Sequence, residues 1–229
     1  MAKQAVNEMF ENGVHIGHRT QKWNPRMKKF LYGDHQGVHI INLEKTEEFF
    51  QEALNFLSRM SSEGKTVLFV STKPQAIHML EDVANEVNMP YVTRRWIPGL
   101  LTNFATIKNR IKYLADLKNQ EASGEFDKYT KKEATSLGKT IVKLEAALGG
   151  VSAVKGVPDV VFVIDPVRDS IAVTEANKLG LPVVAFADSN ADPSLISYPI
   201  PANDDSLKSL KYLLGRVKDA FKKPSKSKN

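Results

Sequence analysis

The stretch Asp159–Ile164, DVVFVI, decides the fold class of this chain. It is rich in β-branched residues, and its apolar run is nearly continuous rather than alternating with polar positions. Such runs are typical of strands that are buried on both faces, as in a parallel sheet. Three other short runs share the pattern, at Val38–Ile41, Thr66–Val70 and Pro182–Ala187. We therefore predict a parallel sheet built from these segments.

Helical patterns lie between these runs. Apolar residues recur at intervals of three and four over Thr46–Met60 and Pro74–Val87, and shorter patterns cover Asp169–Leu179 and the region from about Ser206. An alternation of strands and helices implies right-handed crossovers between parallel strands. The residues therefore predict an α/β fold with a doubly wound parallel sheet.

The region Phe104–Leu148 departs from this alternation. Its apolar residues fall three and four apart in two segments, separated by the polar stretch NQEASGEFDKYT. We predict an antiparallel coiled-coil helical hairpin that projects between the third and fourth strands of the sheet. A plain pair of amphipathic helices lying on the sheet is the alternative. The predicted seam consists of Phe104, Ile107, Ile111, Leu114, Ala134, Leu137, Ile141, Leu144 and Leu148.

These patterns divide the chain into three parts. We expect a discontinuous α/β sheet domain, formed by residues 1–103 and 149–222. The helical hairpin, residues 104–148, is inserted into it. The basic end of the chain, residues 223–229, is low in complexity and is predicted to be disordered.

Composition narrows the classes of function. The 229 residues include 32 Lys and Arg against 26 Asp and Glu, a net charge of +6, and no cysteine. The basic balance favours an acidic partner such as nucleic acid. The lack of cysteine excludes disulfides, thiolate zinc sites and cysteine nucleophiles, and it suits a reducing compartment. No secretory-signal pattern and no apolar run of about 18 residues occur, so we expect a soluble, cytoplasmic protein with no membrane partner.

A doubly wound sheet suggests a nucleotide-binding enzyme, but the motifs do not support one. The GKT tripeptides at Gly64–Thr66 and Gly138–Thr140 lack the glycine that a P-loop carries five residues earlier. No G-x-G-x-x-G follows a strand. His35 and His39 lack the helix and the glutamate of a zinc protease. We predict a non-enzyme with no small-molecule substrate and no required cofactor; a nucleotide- or metal-dependent enzyme on a Rossmann-like sheet is the alternative.

Two stretches combine cations with aromatic residues, as RNA-binding surfaces do. They are GVHIGHRTQKWNPRMKKF at 13–30 and TRRWIPGLLTNF at 93–104. Arginine and lysine neutralise phosphates, and aromatic faces stack on exposed bases. Packing against the domain is the alternative for both tryptophans, and a solvated helix face is the alternative for the hairpin cations. The predicted RNA-binding residues are Arg19, Lys22, Trp23, Arg26, Lys28, Lys29, Arg94, Arg95, Trp96, Lys108, Arg110 and Lys112.

Carboxylates at strand ends suggest a cation site. Asp188 ends the strand VVAFAD, and the carboxyl ends of parallel strands share one edge of a sheet. Asp204 and Asp205 reach that edge if Tyr198–Pro201 forms a short strand, and His18 can fold over it. Carboxylate oxygens suit magnesium and an imidazole favours zinc, so the hypothesis is a structural divalent cation that fixes the N-terminal stretch to the sheet. The alternative is that Asp204 or Asp205 caps the following helix.

Five blocks of sequence carry a more specific signal than any of these motifs. They are GVHIGHRTQKWNPRMKKFLYGDHQGVHIINLEKT, LFVSTKPQA, RRWIPGLLTNF, PDVVFVIDP and EANKLGLPVVAFADSNADPSLISYPIPANDDS. In this order and spacing they are similar to the ribosomal protein S2 family of the bacterial small subunit. The resemblance covers about Ala5–Phe221, which is nearly the whole chain.

The resemblance carries its own expectations. It implies a flavodoxin-like parallel sheet with a protruding coiled-coil hairpin, and it implies no catalysis. It also implies binding to the 3′ major domain of small-subunit ribosomal RNA, contacts with neighbouring small-subunit proteins and a docking surface for ribosomal protein S1. The place of action would be the ribosome in the cytoplasm. A protein-only adaptor built on the hairpin, with incidental basicity, is a further alternative.

Overall fold

The computed structural model describes residues 2–154 and 156–222, which form two sheets and seven α-helices. The strands are β1 (Ile16–Arg19), β2 (Leu31–His35), β3 (Val38–Ile41), β4 (Val67–Val70), β5 (Tyr91–Val92), β6 (Val160–Val163), β7 (Val183–Ala187) and β8 (Tyr198–Pro201). The helices are α1 (Ala2–Glu11), α2 (Leu43–Ser62), α3 (Ile77–Glu86), α4 (Phe104–Ala122), α5 (Lys131–Leu148), α6 (Ser170–Lys178) and α7 (Leu207–Lys222). The tail at 223–229, predicted to be disordered, lies outside the described residues.

The larger sheet is parallel throughout and has the order β5-β4-β6-β7-β8. Counted along the chain, its five strands lie in the order 2-1-3-4-5, which is the flavodoxin-like arrangement. The direction of strand addition reverses between β4 and β6, so the topological switch point lies there. Tyr198–Pro201 does form the last strand, and its two prolines suit an edge position because they lack the N–H that a further strand would need. The predicted α/β fold is confirmed.

One of the four strands predicted for the parallel sheet belongs to another sheet. Val38–Ile41 is β3, the middle strand of a separate three-stranded antiparallel sheet of order β1-β3-β2. Gln36 and Gly37, with φ angles of 51° and 78°, form the two-residue turn of the β2–β3 hairpin. A short apolar run cannot distinguish a central parallel strand from one in such a hairpin. Of the parallel strands only β4 and β5 precede the insertion, which therefore follows the second strand and not the third.

The continuous apolar runs are explained by two cores, one on each face of the parallel sheet. In β4, Val67 and Phe69 face the core formed with α1, α2, α3 and α7, while Leu68 and Val70 face the other core, and all four are buried. Phe162 packs between Phe69 and Phe186 in the first core, with ring centroids 5.2 Å apart in both pairs. Each face therefore receives every second residue of the strand.

The insertion consists of α4 and α5, joined by a short turn at Glu125–Lys128. A capping box, in which the side chains of Thr130 and Glu133 bond each other's backbone N–H groups, starts α5. Lys118 on α4 forms an ion pair with Glu145 on α5. Two helices form where the prediction placed them, whereas their coiled-coil packing, their projection from the sheet and an independent hairpin domain stay predictions. Side chains of the pair that are buried in the second core are Ile107, Leu114, Leu117, Ile141 and Leu148.

No helix in the described part of the chain combines the length and the apolar character that crossing a membrane requires.

A charge placed at a buried position of α4 tests the hairpin. Leu114, 3% exposed, is next to the exposed Ala115, which provides a matched site. We expect Leu114→Asp to lower the free energy of unfolding by more than about 2 kcal/mol and Ala115→Asp to change it by less than about 0.5 kcal/mol. Urea unfolding measures both, and limited proteolysis should place the new cleavages in residues 104–148. Equal stability of the two variants would contradict the packing described here.

Candidate nucleic-acid interface

Polar side chains gather where the parallel strands end. We call Lys73, Asp165, Asp188, Asp204 and Asp205 the strand-end cluster; they follow β4, β6, β7 and β8. Lys73 lies at its centre and is only 5% exposed. Its Nζ lies 2.6 Å from Asp204 Oδ1, 2.6 Å from Asp205 Oδ1 and 3.3 Å from Asp165 Oδ2. One lysine thus joins the ends of three strands.

His18 reaches this cluster from β1. Its Nδ1 lies 3.0 Å from Asp188 Oδ2 and its Nε2 lies 3.4 Å from Asp205 Oδ2. The backbone N–H of His18 donates to Ser189 Oγ at 2.8 Å. Gly17 permits this approach, because a Cβ there would lie 3.0 Å from Ser189 Oγ and 3.2 Å from Asp188 Oδ1. The side chain and the backbone N–H of His18 therefore fix the N-terminal stretch to the edge of the sheet.

The sequence-based grouping of His18, Asp188, Asp204 and Asp205 is reproduced in space. One possible ligand atom from each lies within 4.8 Å of the others. The helix-capping alternative does not describe these residues: Asn203 Oδ1 accepts from the N–H groups of Asp205 and Ser206, at 2.9 and 3.2 Å. Sequence reasoning missed Lys73 and Asp165, although they lie three and two residues after β4 and β6. Position just after a strand is the signal that found Asp188.

Charge is unbalanced in this cluster, because four carboxylates face one lysine and one histidine. Burial and the neighbouring charges of Asp188 and Asp165 raise the pKa of Asp204 to about 8. Burial alone would lower the pKa of Lys73, but the charge of Asp204 and bonds to both aspartates outweigh it and raise that pKa. Hydrogen bonding to Asp188, partly offset by burial, raises the pKa of His18. The cluster therefore holds protons tightly.

The switch point between β4 and β6 is closed by side chains of the chain itself. Asp169, 3% exposed, accepts hydrogen bonds from Thr72 N at 2.9 Å and Thr72 Oγ1 at 2.7 Å. Arg168 Nε donates to the same hydroxyl at 3.1 Å. In related sheets a ligand's anionic group binds at this point. Here a carboxylate occupies the backbone donor, which argues against the nucleotide-enzyme alternative.

The second cationic stretch presents two exposed arginines between two buried residues. Arg94 and Arg95 are exposed, whereas Thr93 and Trp96 on either side are 4% and 6% exposed. Thr93 Oγ1 donates to Glu81 at 2.5 Å, and Trp96 Nε1 donates to Glu175 at 3.0 Å. Trp96 packs in the second core, so its ring is not available to stack on a base.

The first cationic stretch, residues 13–30, contains both engaged and exposed side chains. Arg26 is bound to its own chain, since its Nη1 contacts Asp192 and donates to Ser194 Oγ at 2.9 Å. Trp23 is half-buried and packs on His39, with ring centroids 5.0 Å apart. The remaining predicted cations are exposed: Arg19, Lys22, Lys28 and Lys29 in this stretch, and Lys108, Arg110 and Lys112 on α4.

Sequence reasoning missed the most exposed aromatic residue on the small sheet. Tyr32 is 82% exposed. Its neighbours Leu31 and Gly33 pair with the consecutive residues Ile41 and Ile40, so Tyr32 is the extra residue of a β-bulge. A bulge turns a side chain away from its sheet, and nothing in the local sequence marks one.

Comparisons with known proteins identify the family. The sequence model of the family described as Ribosomal protein S2 matches residues 9–224. The chain belongs to the ribosomal protein S2 family. A small ribosomal subunit protein uS2 from Dictyoglomus turgidum is 44% identical over 221 residues, 96% of this chain and 90% of the relative. The protein of that name from Nitratiruptor is 47% identical over 216 residues, 94% of this chain and 81% of the relative.

Membership of the ribosomal protein S2 family settles the choice between enzyme and non-enzyme. The family consists of structural ribosomal proteins, so the predicted absence of catalytic activity is confirmed at the level of the family.

The contact between His18 and Asp188 sets a pH dependence. A histidine whose pKa is raised by folding stabilises the protein fully below its unfolded pKa, near 6.5, and loses that contribution as pH rises through the folded pKa. We expect histidine NMR titration to give His18 a pKa above 6.5, and Asp188→Asn to lower it. The difference in unfolding free energy between the wild type and His18→Gln should shrink as pH rises. A His18 pKa at or below 6.5 in the wild type would contradict the contact.

Proposed function

We propose that this chain is a structural component of the small ribosomal subunit that binds ribosomal RNA in the cytoplasm and so supports translation. Its family and the names of its relatives support the subunit, since both relatives are called small ribosomal subunit proteins. The observation that carries RNA binding is the pair Arg94 and Arg95, exposed between buried neighbours.

Two arginines held on a fixed backbone suit phosphate binding better than flexible lysines would. Guanidinium groups bind phosphate oxygens in a planar, bidentate manner. Thr93 and Trp96 fix the backbone on both sides, so less freedom is lost when Arg94 and Arg95 bind. No ion pair among the described residues involves either arginine. Both guanidinium groups are therefore left for an external anion.

The other exposed cations extend this candidate surface. We assign phosphate contacts to Arg19, Lys22, Lys28, Lys29, Lys108, Arg110 and Lys112, all of which are exposed. Arg26 contributes less, because Asp192 already neutralises it. Trp23 is a weaker candidate for stacking, since its ring packs on His39. Most of the binding energy is then electrostatic and salt-dependent.

A protein-docking role is supported by a different surface. Phe10, Ile16 and Tyr32 are 61%, 44% and 82% exposed. Ile16 and Gly33, next to Tyr32, both pair with Ile40, so β1 and β2 bring Ile16 and Tyr32 near the same part of the small sheet. Phe10 stacks on His15, the residue before Ile16. Exposed apolar groups of this kind mark contacts with other proteins. We assign this surface to neighbouring small-subunit proteins, among them ribosomal protein S1 as the family resemblance implies.

A structural divalent cation is the second candidate function, at His18, Asp188, Asp204 and Asp205. Ligand atoms within 4.8 Å of one another and an excess of negative charge favour it. Three carboxylates suit magnesium, and the imidazole shifts the preference toward zinc. Lys73 opposes it by neutralising part of the same charge. Such an ion would fix the N-terminal stretch and is not required for the fold, since the direct contacts described above already do so.

The RNA-binding proposal is tested by salt dependence. We expect Arg94→Ala plus Arg95→Ala to weaken binding to in vitro transcribed small-subunit ribosomal RNA. The slope of log K against log salt concentration should fall in magnitude by roughly 0.7 to 0.9 for each phosphate that is no longer neutralised. Filter binding across a series of potassium chloride concentrations measures this slope.

The matched control removes the same charge from the opposite face of the sheet. Lys208 and Lys211 are exposed on α7, which packs in the first core, whereas Trp96 lies in the second. Lys208→Ala plus Lys211→Ala should leave the slope near its wild-type value. If both double variants lower the slope equally, binding is non-specific and the assignment of the arginine pair fails.

The cation proposal is tested by metal analysis. Purified protein is washed with chelator, dialysed against zinc or magnesium and assayed by elemental analysis. We expect about one ion per chain in the wild type and no bound ion in His18→Ala. With only four ligand residues, the loss of one should abolish binding. His78→Ala, an exposed histidine on α3, is the control and should retain the ion. Equal metal content in all three proteins, or no metal in any of them, would contradict a cation site at these residues.

A further inference from the structure

The carboxylate of Glu175 is the acceptor for an unusual number of donors. Glu175 lies on α6 and is 6% exposed. Its Oε1 accepts from Trp96 Nε1 at 3.0 Å and from Gly99 N at 2.7 Å. Its Oε2 accepts from Leu101 N at 3.0 Å, and from Thr102 N and Oγ1 at 3.1 and 3.2 Å. One side chain therefore binds four residues of the loop that follows Arg95.

This loop has no regular secondary structure between β5 and α4, so its backbone donors need partners elsewhere. The loop curls around the Glu175 carboxylate, as backbone N–H groups do around an anion. Gly99, with a φ angle of 88°, allows the curl. Burial alone would raise the pKa of Glu175, and the hydrogen bonds to Trp96, Gly99, Thr102 and Leu101 lower it below its ordinary value. The carboxylate is therefore ionised at neutral pH.

We infer that Glu175 is a positioning residue for RNA binding, which holds Arg94 and Arg95 in place by binding the loop from Trp96 to Thr102. The inference rests on the proposed function for its consequence, since it assigns the arginines to phosphates. Its structural part, that Glu175 fixes the loop, is independent of RNA. Neither Glu175 nor Thr102 is proposed to contact RNA.

The arginine pair is held on both sides, by Thr93 before it and by the Glu175 contact after it. Thr93 is fixed by its bond to Glu81 and by the neighbouring strand β5. On the other side of the arginines, Trp96 is the first residue held by Glu175. Removing the Glu175 carboxylate therefore frees only the end that follows Arg95. Both arginine charges remain, but the position of the guanidinium groups is no longer fixed.

Glu175→Gln removes this function with little change in size. A glutamine offers one carbonyl oxygen, and its NH₂ group would face N–H donors that need an acceptor. Glu47→Gln is a matched control, since Glu47 also binds a half-buried partner, Arg216, through two bonds at 2.6 and 3.1 Å. Trp96→Phe is a milder second variant, because it keeps a packed ring and removes only one donor to Glu175.

Trypsin tests the structural part without RNA. Under native conditions, we expect Glu175→Gln to be cut after Arg94 or Arg95 about tenfold faster than the wild type, since local opening controls such cleavage. Trp96→Phe should show a smaller increase and Glu47→Gln none. If Glu175→Gln and Trp96→Phe stay folded and are cut at the wild-type rate, the positioning role is overturned.

Salt-dependent binding to small-subunit ribosomal RNA tests the functional part. We expect Glu175→Gln to lower the magnitude of the salt slope by roughly 0.7 or more, equivalent to at least one phosphate contact. Adding Arg94→Ala and Arg95→Ala to it should lower the slope no further than those two changes do alone. If the arginine changes lower the slope and Glu175→Gln does not, the positioning role fails while the proposed function stands. If the arginine changes alone leave it unaltered, the proposed contacts fail.

Discussion

Lys73 and the carboxylates around it are the interaction on which the rest of the structure depends. The lysine follows β4 and forms ion pairs with Asp165, after β6, and with Asp204 and Asp205, after β8. Asp205 and the neighbouring Asp188 then bind His18, and with it the N-terminal stretch. A buried ion pair gives little net stability when compared with apolar packing, but removing one partner typically costs about 3–5 kcal/mol. The cluster thus specifies where the N-terminal stretch lies.

The same edge explains how a sheet found in many enzymes serves a structural protein. Enzymes with this strand order leave the carboxyl ends of the strands open for a ligand. Here Asp169 binds the backbone after β4, and Lys73 and His18 fill the space beyond β7 and β8. The charged groups that an enzyme would direct at a substrate bind one another. Cations are left exposed elsewhere, within residues 19–29, at Arg94 and Arg95, and on α4.

The fold was largely predictable from sequence because its signals are local. The runs at Thr66–Val70, Asp159–Ile164 and Pro182–Ala187 are continuous because both faces of each strand are buried. Val38–Ile41 was misplaced, since strand partnership depends on residues distant in sequence. The two-residue strand β5 was missed because Tyr91–Val92 is too short to carry a pattern.

The candidate site was predictable in part, for a similar reason. Asp188, Asp204 and Asp205 were found by the rule that strand ends share an edge, and Lys73 obeys the same rule although it was not considered. Glu175 could not be found, because its partners are loop backbone groups whose direction the sequence does not give. Arg26 and Trp96 were equally well placed in the sequence as RNA ligands, yet contacts with Asp192 and Glu175 engage them.

The proposed function is that of an RNA-bound structural part of the small ribosomal subunit. Sucrose-gradient fractionation of lysate, with quantitative mass spectrometry of each fraction, tests it most directly. We expect one copy of the chain per small subunit at low salt and release as the salt concentration rises, because exposed cations would hold it to phosphates. A folded chain that stays at the top of the gradient at low salt, apart from the small subunit, would contradict this function.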